Sequence, residues 1–561
     1  MRSIETRVLS SLEKVFPEDA PKILTQELTF LQGEKGAFQI AVYPEQIPHE
    51  YGYLILAPTV HSDFPLHITM VGNVPVMKPY NNCEDGRYLE KGPGLYPDPM
   101  YEVAEEGFRM PTGHWTSFMV DFDTGDAAPG KHRISITFTP SGHRLNPNYP
   151  AVTVETEVEI LPATLEEQKL IYTSWFHCDG LAAYYKVPVF SEEHWEIIRD
   201  QMKVAARYGQ NMILVPMFTP PLDTAVGGER LTVQTVGVTV KGPLTNPASY
   251  SFDMTLLDKF VDLAFECGFT YLEMSHLFTQ WGATSCPKIM ATVDGVSKRI
   301  FGWNVASTSE EYKAFLTAFL PVMVEHLDVR GLRGKAYFHL TDEPHGDHLE
   351  QYLRLKNIVQ PLLKGYPIMD ALSDYDYYYQ GVSEVPVVAT SSLKPFLEGK
   401  RPEDFWVYYC CGQGFNGLSN RFIAMPGYRT RVLGLQMYLE KVNGFLQWGY
   451  NFYNNQDSLH LIDPYTVNDG ECAFPAGDPF VVYPGKDGHT LRSIRLIHFN
   501  EGLQDQRALE QLEALTDRDH VLELIRREVG SKVTFNDYPR GEDFLLKLRN
   551  SVNREIAALV K

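Results

Sequence analysis

Hydrophobic and polar positions change rhythm once along this chain. Up to about residue 160, stretches such as "AFQIAVYP", "YGYLILAP", "LHITMVG", "WTSFMVDFD", "HRISITFTP" and "VTVETEVEIL" alternate or run apolar over strand lengths. Turns rich in Pro, Gly, Asn and Asp part them. This pattern predicts an antiparallel β-sandwich. "EILPATLEEQ" marks the exit from it, which puts one domain at 1–162 and the next at 163–561.

Beyond that point short apolar segments alternate with amphipathic helical ones. "KLIYTSWF" precedes "EEHWEIIRDQMKVAARYG", "NMILVPMF" precedes "DMTLLDKFVDLAFECG", and "TYLEMSHL" precedes "SEEYKAFLTAFLPVMVEHLDV". "KAYFHLTD", "PIMDALSD", "VPVVATSS", "DFWVYYCC" and "GFLQWGYN" complete a set of about eight, with a hairpin-like insertion near 229–241. Eight strand–helix units predict a (β/α)8 TIM-type barrel. An open doubly wound sheet is the alternative, weakened because no glycine-rich phosphate loop follows the first strand. The charged tail "RALEQLEALTDRDHVLELIRREVG" predicts helices that cover the outside of the barrel.

Charge narrows the function. Of 561 residues, 50 are basic and 71 acidic, a net −21. Nucleic acid and anionic membrane both need a basic patch, and no Lys/Arg cluster of that kind is present. The start "MRSIETRVLSSLEKVFPEDA" lacks a signal-peptide core and no window offers about 18 apolar residues, so a cytoplasmic protein is expected. Seven cysteines at 83, 178, 267, 286, 410, 411 and 472, without a CxxC pair, disfavour a disulfide framework or structural zinc.

Functional groups of such a barrel gather at the C-terminal ends of its strands. There the sequence places Trp175, His177 and Asp179; His276, Gln280 and Trp281; His339, Asp342 and Glu343; Asp374, Asp376 and Tyr377; Trp406, Tyr408 and Gln413; and Trp448, Tyr450, Asn451 and Tyr453. Aromatic faces mixed with carboxylates and amides suit a sugar, whose C–H faces pack on rings while its hydroxyls need partners. Each ring taken singly is equally a core residue.

Three readings compete for the adjacent Asp342 and Glu343 of "FHLTDEPHGDH". Thr341 or Asp342 could cap a helix that Pro344 begins. His339, Asp342, Glu343, His345, Asp347 and His348 could hold a metal, although no ligand-plus-base pattern such as HExxH is present. The third reading is glycoside chemistry, which needs an acid for the leaving oxygen and a second group for the anomeric carbon. An adjacent pair suits the scheme in which the substrate's own 2-acetamido oxygen attacks. Regular strand geometry would point the two side chains apart, so a corner before Pro344 must bring them together.

The second domain resembles glycoside hydrolase family 123. The likeness rests on "EMSHLFTQWGATSCPKI", "FHLTDEP", "WVYYCCGQGFNGLSNRF", "MPGYRTRVLGLQMY", "GFLQWGYNFY", "VVYPG" and "SIRLIHFNEGLQDQRALEQL", in that order over about residues 165 to 520. It implies a retaining β-N-acetylgalactosaminidase that uses the substrate acetamide and needs neither metal nor cofactor. Asp342 would orient the acetamide and Glu343 would serve as general acid/base. Trp281, Tyr408, Trp448 and Asn451 would wall the sugar, with His177, Asp179, His276, His339, Asp374 and Tyr377 as further binding candidates. The chain departs from the family at Gly477-Asp478-Pro479, where Gly-Asp-Gly is usual, and at "NNQDSLHLIDPYTVNDGE", which replaces a tryptophan-bearing loop.

Expected partners are a small saccharide or glycoside, with homo-oligomerisation left open. Alternatives are a hydrolase for another sugar pairing Glu343 with Asp374 or Asp179, an inert carbohydrate-binding protein, and a metal hydrolase.

Overall fold

All six strands expected in the first domain form in a computed structural model of the chain, which describes residues 2–46, 52–81, 85–89, 92–104, 106–125, 127–141 and 149–560. They join four others in two five-stranded sheets among the described residues. One sheet runs Ile4–Ser10, Lys35–Pro44, Thr116–Asp123, His67–Val76, Gly94–Glu102 in spatial order. The other runs Thr29–Gln32, Val152–Thr164, Gly130–Ser141, Tyr53–His61, Phe108–Pro111. Alternate residues fill the space between them: Phe38, Ile40 and Val42 from the first, Ile134, Ile136 and Phe138 from the second. Pairing is antiparallel except where Val152–Thr164 meets Thr29–Gln32. That last strand continues two residues past the expected boundary. Gly94–Glu102 escaped the sequence reading because Pro97 and Pro99 break its pattern; it lies at a sheet edge, where the lost N–H groups cost nothing.

Eight parallel strands follow: Ile171–Ser174, Met212–Val215, Tyr271–Met274, Ala336–Phe338, Met369–Ala371, Val385–Ala389, Trp406–Tyr408 and Gly444–Gln447. The eighth pairs with the first. The fourth and fifth meet through a single parallel bridge, Phe338 to Ile368, with the Phe338 N–H donating to the Pro367 carbonyl at 3.0 Å. The barrel is thus nearly closed, and the open-sheet alternative fails. Its helical layer is less regular than expected. Glu192–Arg207, Thr255–Cys267 and Glu310–Val329 are full helices, whereas Tyr375–Tyr379 and Lys394–Glu398, after the fifth and sixth strands, have five residues each.

Two further expectations need correction. Residues 229–236 form no hairpin; Gly237–Val240 pairs antiparallel with Tyr250–Asp253 and parallel with Ile289–Val293, in a small four-stranded sheet raised over the barrel mouth side by the second and third loops. The tail does more than coat the barrel. Asp543–Leu559 packs on the sandwich, where Arg554 binds Glu159 at 2.9 Å and Arg549 pairs with Glu34. Arg495, in helix Ile494–Leu515, grips Asp98 of the sandwich through two bonds of 2.7 and 2.8 Å, both groups fully buried. Such pairs fix the register between domains, because breaking one would leave a buried charge without its partner. The six described cysteines are free thiols, and Cys83 lies outside the described residues. No described helix is long and apolar enough to cross a membrane.

Candidate active site

The fourth strand ends at Phe338, so Asp342 and Glu343 lie on an irregular segment held by its neighbours. The carbonyls of His339, Leu340 and Asp342 accept from the N–H groups of Leu277, Phe278 and Trp281 at 3.2, 2.9 and 3.3 Å. Thr341 adds a bond from its hydroxyl to the Thr279 carbonyl at 2.8 Å. Glu343 takes a left-handed φ of +45°, which few residues other than glycine accept. This strained corner interrupts the strand alternation that would part the two side chains, and Asp342 feels the charge of Glu343. Both remain half-buried. The Tyr408 hydroxyl, at the end of the seventh strand, reaches over and donates to Glu343 Oε1 at 2.6 Å.

No helix starts at Asp342, which removes the capping reading. The next helical turn is Gly346–His348, preceded by His345, whose ring turns back to the Glu343 carbonyl at 2.9 Å. Among the described residues, no group of three or more His, Cys, Asp or Glu side chains is arranged to hold a metal ion.

Beneath the pair lies a buried polar chain. Glu273, in the third strand, accepts from Trp175 Nε1 at 2.7 Å and from His339 Nε2 at 2.6 Å through the same oxygen, Oε1. The other nitrogen of His339 meets Asp370 at 3.1 Å, and Asp370 accepts from Tyr352. Burial alone would lower the affinity of His339 for its proton, but bonds to Asp370 and Glu273 prevail and push it up to about 9. His276 stacks on His339, with centroids 4.2 Å apart, and both its ring nitrogens lack a partner. Burial and the neighbouring His339 cation hold His276 neutral. Glu273 and Asp370 were not picked out from the sequence. Their signal was a lone acid within an apolar strand, "YLEM" and "MDA".

Asp342 feels its surroundings strongly. Burial first, then Glu343 and Asp223, push its carboxyl well above the usual carboxylate range, while His339 pulls the other way. Asp223, on the loop after the second strand, was also missed, and no periodic pattern marks it. On the far side of the mouth Trp448 donates to Asp478 Oδ2 at 3.0 Å, and burial pushes Asp478 up to about 7. That loop presses on the eighth strand's end: a Cβ on Gly449 would sit 2.4 Å from the Pro479 carbonyl oxygen. Trp281, with φ +54° and 46% exposed, stands at the rim as an uncovered ring.

Other candidates do not face the mouth with free groups. Arg230 forks both oxygens of Asp179 at 2.7 Å and touches His177 Nδ1 at 3.1 Å, all three side chains being buried. His177 is closed off further by the Trp448 carbonyl at 3.0 Å. Asn451 binds the His177 N–H at 2.7 Å and Gln201 at 3.0 Å. These three expected sugar ligands instead brace the first and eighth loops. Asp374 caps helix Tyr375–Tyr379, and the Tyr377 hydroxyl holds the Gly346 carbonyl, anchoring the loop after Glu343. Asp179 is therefore not free to act as a distant catalytic partner of Glu343, whereas Asp374 has one oxygen engaged as a helix cap.

The chain is similar over its full length to a family 123 glycoside hydrolase from Clostridium perfringens, whose structure was solved to detail glycolipid glycan hydrolysis. The match has a TM-score of 0.72 at 15% identity and covers 100% of this chain and 99% of that one. A family 5 mannosidase from Rhizomucor miehei aligns at TM-score 0.32 and 11% identity, over 60% of this chain and 94% of its own. Comparison with curated protein sequences finds no match. Residues 175–512 match the model of the glycoside hydrolase 123 catalytic domain, and this span contains Asp342, Glu343, Tyr408 and Trp448. The chain belongs to glycoside hydrolase family 123.

Proposed function

We propose that this glycoside hydrolase removes a terminal β-linked N-acetylhexosamine, N-acetylgalactosamine foremost, with retention and with the substrate's acetamide as nucleophile. One observation carries the reading: the left-handed φ at Glu343 breaks the strand alternation that would point adjacent carboxyls apart, and the two acids feel each other's charge. In the first step the acetamido oxygen attacks the anomeric carbon, the glycosidic C–O bond breaks, and Glu343 gives its proton to the leaving oxygen. Asp342 accepts the amide N–H and stabilises the oxazolinium-like intermediate. In the second step Glu343 deprotonates water, which opens the ring from the other face and restores the original configuration.

The Clostridium perfringens relative acts on glycolipid glycans. We extend that class here to the sugar portion, as a small oligosaccharide or glycoside met in the cytoplasm. Trp281, Trp448 and Tyr408 supply the rings for its apolar face. A panel of aryl glycosides tests the proposal, comparing β-GalNAc, β-GlcNAc, β-Gal and β-Glc. Turnover of the acetamido sugars over a background rate for the others is expected. Equal rates with and without the acetamide would reject the mechanism.

A further inference from the structure

We infer that Asp223 is a specificity-determining residue of this site, an acceptor for a hydroxyl of the terminal sugar remote from its reacting carbon. Three loops converge on its backbone. Its N–H donates to Gln280 Oε1, on the loop after the third strand, at 2.7 Å. Its carbonyl accepts from the Ser458 hydroxyl, on the loop after the eighth, at 2.7 Å. Between these bonds the residue holds a left-handed φ of +45°, a conformation that the surrounding contacts must impose on a side chain other than glycine. A strained backbone tied from both sides fixes where a side chain points.

The Asp223 side chain is half-buried. Among the described residues, no group hydrogen-bonds the Asp223 carboxyl. The nearby cation is Arg230, whose Nε–H, both Nη2 N–H groups and one Nη1 N–H are taken by Asp179, His177 and the Leu222 carbonyl. The carboxyl nonetheless lies within electrostatic reach of Asp342, Glu343 and Asp478, the acids at the mouth. Burial, Glu343 and Asp457 push it up to about 7 against the pull of Arg230. An acid set in this company has only water to donate to it in the empty protein, which leaves part of its cost unmet. A sugar hydroxyl removes that cost by donating to it, and a neutral donor does so without adding charge. A site built to bond a hydroxyl then rejects the analogue that lacks it.

This inference rests on the sugar binding at the Asp342–Glu343 pair and not on the acetamide mechanism. Asp223→Asn and Asp223→Ala are assayed on whichever aryl β-glycoside the wild type turns over, and on counterparts lacking one ring hydroxyl each. Loss of a charge-assisted bond is worth on the order of 10- to 100-fold in kcat/KM on the parent sugar. On one deoxy counterpart the same variants should fall by less than about 3-fold, because the bond is already absent. The melting temperature of Asp223→Asn should hold or rise, since no native partner is lost. An unchanged parent rate, equal losses on every substrate, or a lowered melting temperature would each overturn the assignment. If the acetamide proves unnecessary, the parent is a simple hexoside and the comparison stands unaltered.

Discussion

Tyr408 and Glu343 come from opposite parts of the barrel and share a 2.6 Å hydrogen bond, with the phenol as donor. Burial and the neighbouring Glu343 hold the phenol well above its ordinary range, so it remains a donor at all working pH values. Tyr408→Phe should keep the fold but release the Glu343 carboxyl. A loss on the order of 10- to 100-fold in kcat with little change in KM is expected, read by steady-state kinetics.

The two acids should respond differently to the leaving group. Glu343→Gln loses about 10²- to 10⁴-fold on glycosides with a poor leaving group and far less on activated aryl glycosides. Asp342→Asn harms both, because it acts on formation of the intermediate. Comparing kcat/KM on two leaving groups separates these roles; equal losses for both variants on both substrates would contradict them.

Arg230 and Asp179 form a closed, buried pair beside His177. Arg230→Met should cost about 3–5 kcal/mol in urea denaturation, because it leaves a buried carboxylate without a partner. Asp179→Asn should cost less, since a neutral amide still accepts one bond. Loss of activity without loss of stability in either variant would restore Asp179 to the sugar.

His339 gives stability a basic limit. Its value of about 9 in the fold exceeds the ordinary 6.5, so the folded protein keeps a proton that the unfolded chain releases between these values. This contribution is complete below about 6.5 and is lost as pH rises through about 9. His339→Gln, followed by melting temperature against pH, should lose most stability on the acid side of that window.

Asp223 works in the opposite sense. Its folded value of about 7 lies above the ordinary 3.8, so the fold must hold a proton that the unfolded chain gives up. Stability from this group falls as pH rises from 3.8 to about 7. Asp223→Asn should match the wild type at the acid end and melt higher at the neutral end.

The two-part architecture is legible in the chain, since alternation over strand lengths and strand–helix repeats reflect which faces are buried. Two adjacent acids after an apolar run also mark Asp342 and Glu343 as candidates, and the same patterns put Tyr408 and Trp448 at strand ends, where they lie. Which polar residues have partners depends on contacts between distant segments. His177, Asp179 and Asn451 looked like sugar ligands until Arg230 and Gln201, distant in sequence, were seen to occupy them. Glu273 and Asp370 became visible as the clamp on His339 once neighbouring strands brought them together. Asp223 gained its meaning from a backbone bend held by two other loops. Burial leaves a periodic trace in the chain, whereas a hydrogen bond between distant residues leaves none, so the acid pair was legible and its support was not.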